Sequence, residues 1–216
     1  MKKEIALEER KEDGERLFSP SAARNKNVIR DAFASIAPTI GDVLEVGAGT
    51  GEHAVTLAGA APGVTWRPGD PDAKSRASIN AWAKESGLPN IAPAHAINVA
   101  DDDWGLGPDR MLAGVVSINM IHIAPFAAAK GLFGGAGRYL RVGGVLFLYG
   151  PFSRNGVHTA PSNEEFDRSL KARDPDWGVR DLDLDLAPLA EAAGLALFNA
   201  IEMPANNLSA VFKKTG

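Results

Sequence analysis

The chain has 216 residues, 45% of them hydrophobic, enough for one compact domain that removes roughly 70% of its unfolded surface from water. A formal net charge of −4, with both signs interspersed, argues against a nucleic-acid binder, which needs clustered Lys and Arg. The lack of cysteine excludes disulfides and thiolate metal sites, and no stretch reaches the roughly 18 apolar residues of a membrane span.

The opening "MKKEIALEERKEDGERLF" is charged throughout and has no apolar core of a signal peptide, so a soluble cytoplasmic protein is expected. "SPSAARNKNVIRDAFASIA" offers Ser19 as N-cap and Pro20 in the first turn, then sets Ile29, Phe33 and Ile36 on one face. An amphipathic helix is predicted there, within an N-terminal helical cap over residues 1–40. "DVLEVG" reads as a strand, "GEHAVTLAGAA" as a helix, "VTWRPGD" as a strand, and "DAKSRASINAWAKESG" as a helix closed by Gly87. The alternation continues through strands "IAPAHAINV" and "MLAGVVSINM", a helix from about Pro125 to Leu140, and "GGVLFLYG", apolar enough for a central strand. A polar insertion, Pro151 to Arg180, follows, with Ser162 and Glu165 spaced as a capping box. Then come a helix at "LAPLAEAAG", started by a cap in "RDLDLDLAP", and two closing runs, "LALFNAIEM" and "NLSAVFKK", joined by "PANN". This order predicts a doubly wound α/β sheet, mostly parallel and seven-stranded, with helices on both faces and a C-terminal antiparallel hairpin.

Such sheets bind ligands at the carboxyl ends of their strands, and here the first loop is "GAGTGEH". A phosphate-cradling loop would need Gly-Lys-Ser/Thr, and Glu52 follows Gly51 instead. A dinucleotide loop starting at Gly47 would need a third glycine where Glu52 stands, a carboxylate facing a pyrophosphate, which disfavours an NAD-dependent oxidoreductase. S-adenosylmethionine carries no phosphate but an ammonium and a sulfonium, and suits the loop better. Glu45 can meet the ammonium, while Gly47, Gly49 and Gly51 let the backbone come close to the ligand. A second acid ~20 residues on should accept ribose hydroxyls; Asp70 fits, with Asp72 in reserve. Asn98 sits where an amide could read the adenine edge.

From Asp42 to Lys213 the sequence resembles class I S-adenosylmethionine-dependent methyltransferases, through "LEVGAGTG", Asp70, "VVSINMIHI" and "LRVGGVLFLYGPF". More narrowly it resembles domain of unknown function 938, sometimes called the methyltransferase-like protein 26 group. That likeness is carried by "FSPSAARNKNVI", "INMIHIAPF", "LYGPF", "PSNEEFDRSLKARDPDWGVRD" and "EMPANNLSAVF". The resemblance implies a Rossmann-like fold, S-adenosylmethionine as donor with S-adenosylhomocysteine as product, and cofactor contacts that add Ala48 and Ser117 to the residues above. It departs from many class I enzymes in having Asn98 in place of Asp.

Methyl transfer is a displacement at carbon in which alignment alone contributes roughly 7–11 kcal/mol, and a base is optional. His122, just past the fourth predicted strand, is the first catalytic candidate as a base, and Tyr149 at the end of "VLFLYG" the second. His53, His95 and His158 carry no such expectation. Substrate candidates are Arg24 and Asn25 on the N-terminal helix, Asn119 beside His122, Asn163 and Phe166 in the insertion, and Asn206 in the final turn. The insertion is a candidate substrate lid, with Trp177 as lid packing. "DDDW" reads as a solvated turn, so no metal is expected. The reading is a methyltransferase with a small-molecule acceptor, no nucleic-acid or membrane partner, and an oligomeric state left open. The missing Asp/Asn-Pro-Pro-aromatic signature speaks against methylation of DNA bases. The alternative is a non-catalytic module that keeps the cofactor fold to bind a protein partner.

Overall fold

The computed structural model describes residues 9–107 and 109–216. Six strands form the central sheet: β3 (Gly41–Val46), β4 (Val64–Gly69), β5 (Leu112–Ile118), β6 (Leu140–Gly150), β9 (Leu195–Met203) and β10 (Asn207–Lys214). They lie in the order β4-β3-β5-β6-β10-β9; the first four are mutually parallel, and β10 runs antiparallel to both β6 and β9. The α/β class, the central place of β6 and the C-terminal hairpin are as the sequence predicts.

The expected seventh strand is absent as a strand. Residues 91–99 run beside β4 but touch it only through isolated bridges, Trp66 with Ile91 and Gly69 with His95. Pro93 lies between those bridges and has no N–H to donate, which interrupts a continuous ladder.

Residue parity along the strands divides the core. One face buries Val43, Trp66, Val116, Phe147 and Val211 under α1 (Pro20–Ala34) and α2 (Glu52–Ala60). Phe33 of α1 meets Trp66 and Phe147 edge-on at centroid distances of 5.6 and 5.5 Å; cutting such a ring back to Ala costs about 3–5 kcal/mol. The other face buries Leu44, Val115, Leu146, Leu148 and Phe212 under α4 (Phe126–Tyr139) and α6 (Ala187–Ala192).

Ser19 caps α1 as expected, its side chain accepting the Ala22 N–H. Helix α3 (Ala73–Ser86) ends in left-handed Gly87 at φ 64°. Residues 9–18 depart from the expected helical cap: β1 (Lys11–Asp13) and β2 (Arg16–Phe18) pair as a hairpin that docks on α3. There the Leu17 N–H donates to Ser78 Oγ at 2.8 Å and the Leu17 carbonyl accepts from the Trp82 indole at 2.9 Å. Residues 1–8 of that cap lie outside the described residues.

The insertion is folded, with a small strand pair, β7 (Ser153–Arg154) and β8 (Val157–His158), and helix α5 (Pro161–Arg173). The expected capping box does not form. Pro161 opens the helix, Ala160 is its N-cap, and Ser162 instead accepts from the Asn206 amide at 3.0 Å. A π-turn, Leu182–Leu186, precedes α6, and Asp181 caps it by accepting the N–H groups of Asp183 and Leu184. Among the described residues no helix is long and apolar enough to cross a membrane.

Candidate active site

The loop after β3 is built on three left-handed glycines, Gly47, Gly49 and Gly51, at φ 66°, 59° and 94°. Space divides them into two kinds. A Cβ on Gly47 would lie 2.6 Å from Met120 Cγ, and one on Gly51 2.7 Å from Ile79 Cα in α3. Those two glycines let neighbouring chain pack close. On Gly49 the nearest heavy atoms would be the tip of Arg10 at 3.6 Å and the Gly47 carbonyl oxygen at 3.9 Å, ordinary contact distances, so this side of the loop has room where the other two glycines have none. Ala48 is buried and donates its N–H to Gly69, tying the loop to β4.

Asp70, just past β4, closes the other side of that space. Its Oδ2 accepts the Gly49 N–H at 2.9 Å and its Oδ1 the Asp72 N–H at 2.9 Å. Burial raises its pKa, and these two N–H groups pull it back. Asp72 is committed elsewhere, as the N-cap of α3 accepting from Ser75 at 2.7 Å.

Glu45 is buried on the α1 side of β3, where the Trp66 indole donates to its Oε2 at 2.9 Å. Burial pushes its pKa up to about 8, against that hydrogen bond and with help from the Asp70 charge. Glu52 has a different task. It accepts the Ser19 N–H at 2.7 Å and the Thr50 hydroxyl at 3.2 Å, with Lys26 Nζ at 3.7 Å. A carboxylate therefore stands where a dinucleotide loop has glycine because it fastens α1 to the loop.

Tyr149, next to last in β6, is buried on the sheet face that α1 covers. Asn25 Oδ1 lies 2.8 Å from His53 Nε2 in the first turn of α2. The structure thus joins Asn25 to a histidine the sequence gave no reason to choose. Burial and the nearby Lys26 charge push the His53 pKa down to about 4, and burial raises that of Tyr149.

His122 lies at the same sheet edge, in a 3-10 turn (Met120–His122) that left-handed Asn119 starts at φ 59°. The Asn119 N–H donates to the Tyr149 carbonyl at 2.8 Å. The insertion seals His122. Its Nδ1 accepts the Arg180 N–H at 3.3 Å, its carbonyl accepts from Gly178, and its ring meets Phe152 at 4.9 Å. Nε2 is buried with no hydrogen-bond partner among the described residues, and burial pushes the pKa down to about 3. This arrangement weighs against the expected base: a pKa that low makes the ring a weak proton acceptor, its Nδ1 lone pair is engaged, and it is buried.

The remaining candidates are dispersed. Ser117 is buried and donates to the Val46 carbonyl at 3.3 Å, joining β5 to the root of the loop. Arg24 is exposed on α1. Asn98 is exposed, and its amide closes its own turn, donating to Asp101 at 2.9 Å and accepting from Ala100 at 3.2 Å. Asn163, buried on α5, donates to Thr159 Oγ1 at 2.9 Å and to the Asn206 carbonyl at 2.8 Å, while Phe166 is half-buried on the same helix. Asn163 and Asn206 therefore fasten the insertion to the β9–β10 turn. Trp177 is buried in the insertion. Among the described residues no three His, Asp or Glu side chains gather as a metal site; within "DDDW", Asp103 accepts from Gly105 and Tyr139.

Residues 16–214 match a family described as Protein of unknown function (DUF938). The chain belongs to the DUF938 family. Its fold is that of solved methyltransferases. An O-methyltransferase family protein from Burkholderia thailandensis superposes with TM-score 0.77 at 14% identity, over 91% of this chain and 58% of that one. An O-methyltransferase family 2 protein from Planctomyces limnophilus, in complex with apigenin, gives 0.73 at 16% identity, over 90% and 60%. A calicheamicin-biosynthesis methyltransferase in its SAH-bound form gives 0.69 at 18% identity, over 90% and 54%. This DUF938 chain spans less than two thirds of the length of each of these structures.

Proposed function

We propose that this DUF938 chain, of the methyltransferase-like protein 26 group, is an S-adenosylmethionine-dependent methyltransferase acting on a small-molecule acceptor in the cytoplasm. One observation carries the reading: Gly49, the one loop glycine with no close-packed neighbour at its Cβ position, donates its N–H to the Asp70 carboxylate, whose remaining lone pairs suit ribose hydroxyls. Glu45, one strand over and at the root of the loop, supplies a carboxylate for an ammonium. No phosphate-binding lysine accompanies the loop, and Glu52 fills the third-glycine position.

The cofactor supplies an electrophilic methyl group, which an acceptor lone pair takes as the C–S bond breaks and sulfur keeps its electron pair. The chain's residues hold and orient. Asp70 and the Gly49 backbone would hold the ribose and Glu45 the ammonium, and the described part of the 1–40 cap, residues 9–40, would cover the strand ends together with the 151–180 insertion, as parts of one methyltransferase domain. His122 serves here as a packed neutral ring, and any proton released by the acceptor passes to solvent.

Titration calorimetry with S-adenosylmethionine and S-adenosylhomocysteine tests this, on the native protein and on Asp70→Ala and Gly49→Val. Micromolar binding weakened in both variants is the expected result. A folded native protein that binds neither molecule would sink the reading and favour a protein-binding module.

A further inference from the structure

β9 is the outermost strand of the sheet, and its far side has no strand partner among the described residues. The opposite margin is closed: beside β4, the Ala92 N–H donates to the Trp66 carbonyl at 2.8 Å and the His95 N–H to the Pro68 carbonyl at 2.9 Å. β9 carries little of what blunts a free strand, such as lysine, proline or short length. It is nine residues long, contains no Lys, Arg or Pro, and has Glu202 as its one charge. Residues 196–199 are exposed in succession, Leu197 by 37% and Phe198 by 57%.

The one irregularity of β9 selects what can cover it. Phe212 of β10 lies opposite Leu197 and Val211 opposite Asn199, so Phe198 is an extra residue, a bulge whose ring the Lys213 ammonium covers at 3.4 Å. The bulge shifts the alternation of side chains by one. Leu195, Leu197, Ala200 and Glu202 share the sheet face that holds α4 and α6, while Ala196, Asn199, Ile201 and Met203 share the face that holds α1. A regular strand laid along β9 has to pass over Phe198, as β10 does. A second β9, antiparallel about a two-fold axis normal to the sheet, carries the same bulge and matches it residue for residue. With Phe198 opposite the second copy's Asn199, Leu197 meets Ala200, Ala196 meets Ile201 and Leu195 meets Glu202, and each of the last three pairs joins residues of one face. The arrangement is isologous, so every contact occurs twice. Charge agrees with it: Glu202 arrives beside the second copy's Leu195, whose neighbour on the same face of β10 is Lys214.

We infer that β9 is a homodimer seam, which joins the six-stranded sheets of two copies into one continuous sheet with Ala196 opposite Ile201. A seam of one nine-residue strand per copy falls at the small end of specific interfaces, below about 1,200 Å², so association is reversible and depends on concentration. Three strands separate β9 from β3 and its glycine loop, and the inference is independent of the methyl-donor reading.

Two measurements on the full chain test it. Sedimentation velocity from low to high micromolar concentration should show the mass moving from one chain toward two. Leu197→Lys, a change at an exposed position, should hold the protein at one chain mass throughout. The chain has no cysteine, so an introduced pair reports the register. Ala196→Cys combined with Ile201→Cys should oxidise to a covalent dimer; within one strand the two positions, at about 3.3 Å per residue, are too far apart to bridge each other. Ala196→Cys combined with Met203→Cys, on the same face but out of register, should not. A single chain mass at every concentration, open-ended larger species, a dimer unaffected by Leu197→Lys, or equal cross-linking of both cysteine pairs overturns the inference.

Discussion

The Trp66 indole donates to the Glu45 carboxyl across β4 and β3 at 2.9 Å, and both side chains are buried. With its pKa pushed up to about 8, Glu45 holds a proton at neutral pH in the ligand-free protein. A cationic ammonium bound against it favours the ionised form, so binding at pH 7 should release up to about one proton per ligand. Calorimetry in buffers of different ionisation heat reads this directly. The release should vanish in Glu45→Gln and fade well above pH 8. Binding without release in the native protein would place Glu45 out of contact with the ligand.

Arg10 reaches over the loop, its Nη2 3.6 Å from the point a Gly49 Cβ would occupy, and its charge acts on Asp70 and Asp72. A ribose at Asp70 must push it aside. Arg10→Ala should therefore tighten S-adenosylhomocysteine binding by about 1.4- to fivefold, the ~0.2–1 kcal/mol of a half-exposed charge contact. Added salt should narrow the gap between variant and native protein. Weaker binding by the variant would instead make Arg10 a ligand contact.

Acid should destabilise the fold through its buried histidines. His53 and His122 are held neutral with pKa values pushed down to about 4 and about 3. Below pH ~6.5 the unfolded chain takes up protons that the native protein refuses, so stability present above that pH is lost toward pH 4 and then 3. Glu45 acts in the opposite sense: between 4.5 and about 8 the native protein keeps a proton the unfolded chain has released, so stability falls as pH rises. Urea unfolding at stepped pH should show a shallower acid limb for His122→Phe, by up to ~1.4 kcal/mol per pH unit. An unchanged limb would remove His122 as its source.

Asn163 holds both Thr159 and the Asn206 carbonyl from a buried position. Asn163→Ala should cost about 1–3 kcal/mol in thermal or urea unfolding, and should open the insertion to limited proteolysis. Exposed Ser162→Ala should change stability by less than ~0.5 kcal/mol. Equal effects from the two would deny the tie between α5 and the C-terminal turn.

The loop was legible in the sequence because glycines at fixed spacing after an apolar strand leave few chemical options. The caps at Ser19 and Gly87 were legible because they depend on single residue types. Residues 91–99 alternate like a strand, yet Pro93 takes away a donor, and alternation says nothing of ladder continuity. Ser162 and Glu165 have capping-box spacing, but Pro161, already preset for a first helical turn, started the helix earlier. The β1–β2 pair lay hidden because its stability comes from docking on Trp82 and Ser78, far along the chain. His53 was passed over for the same reason: its partner is 28 positions away on another element. The packing role of Gly47 and Gly51 rests on Met120 and Ile79, which no local pattern connects to them.

Strand β10 occupies the slot between β6 and β9, pairing with Gly150 through Leu208 and with Met203 through Asn207. A nascent chain that has not yet presented residues 207–214 leaves the β6 edge unpaired and apolar, with β9 unable to reach it. Synthesis therefore passes through a stage in which four parallel strands and most helices exist but the sheet is open, the state in which edge-to-edge aggregation is fastest.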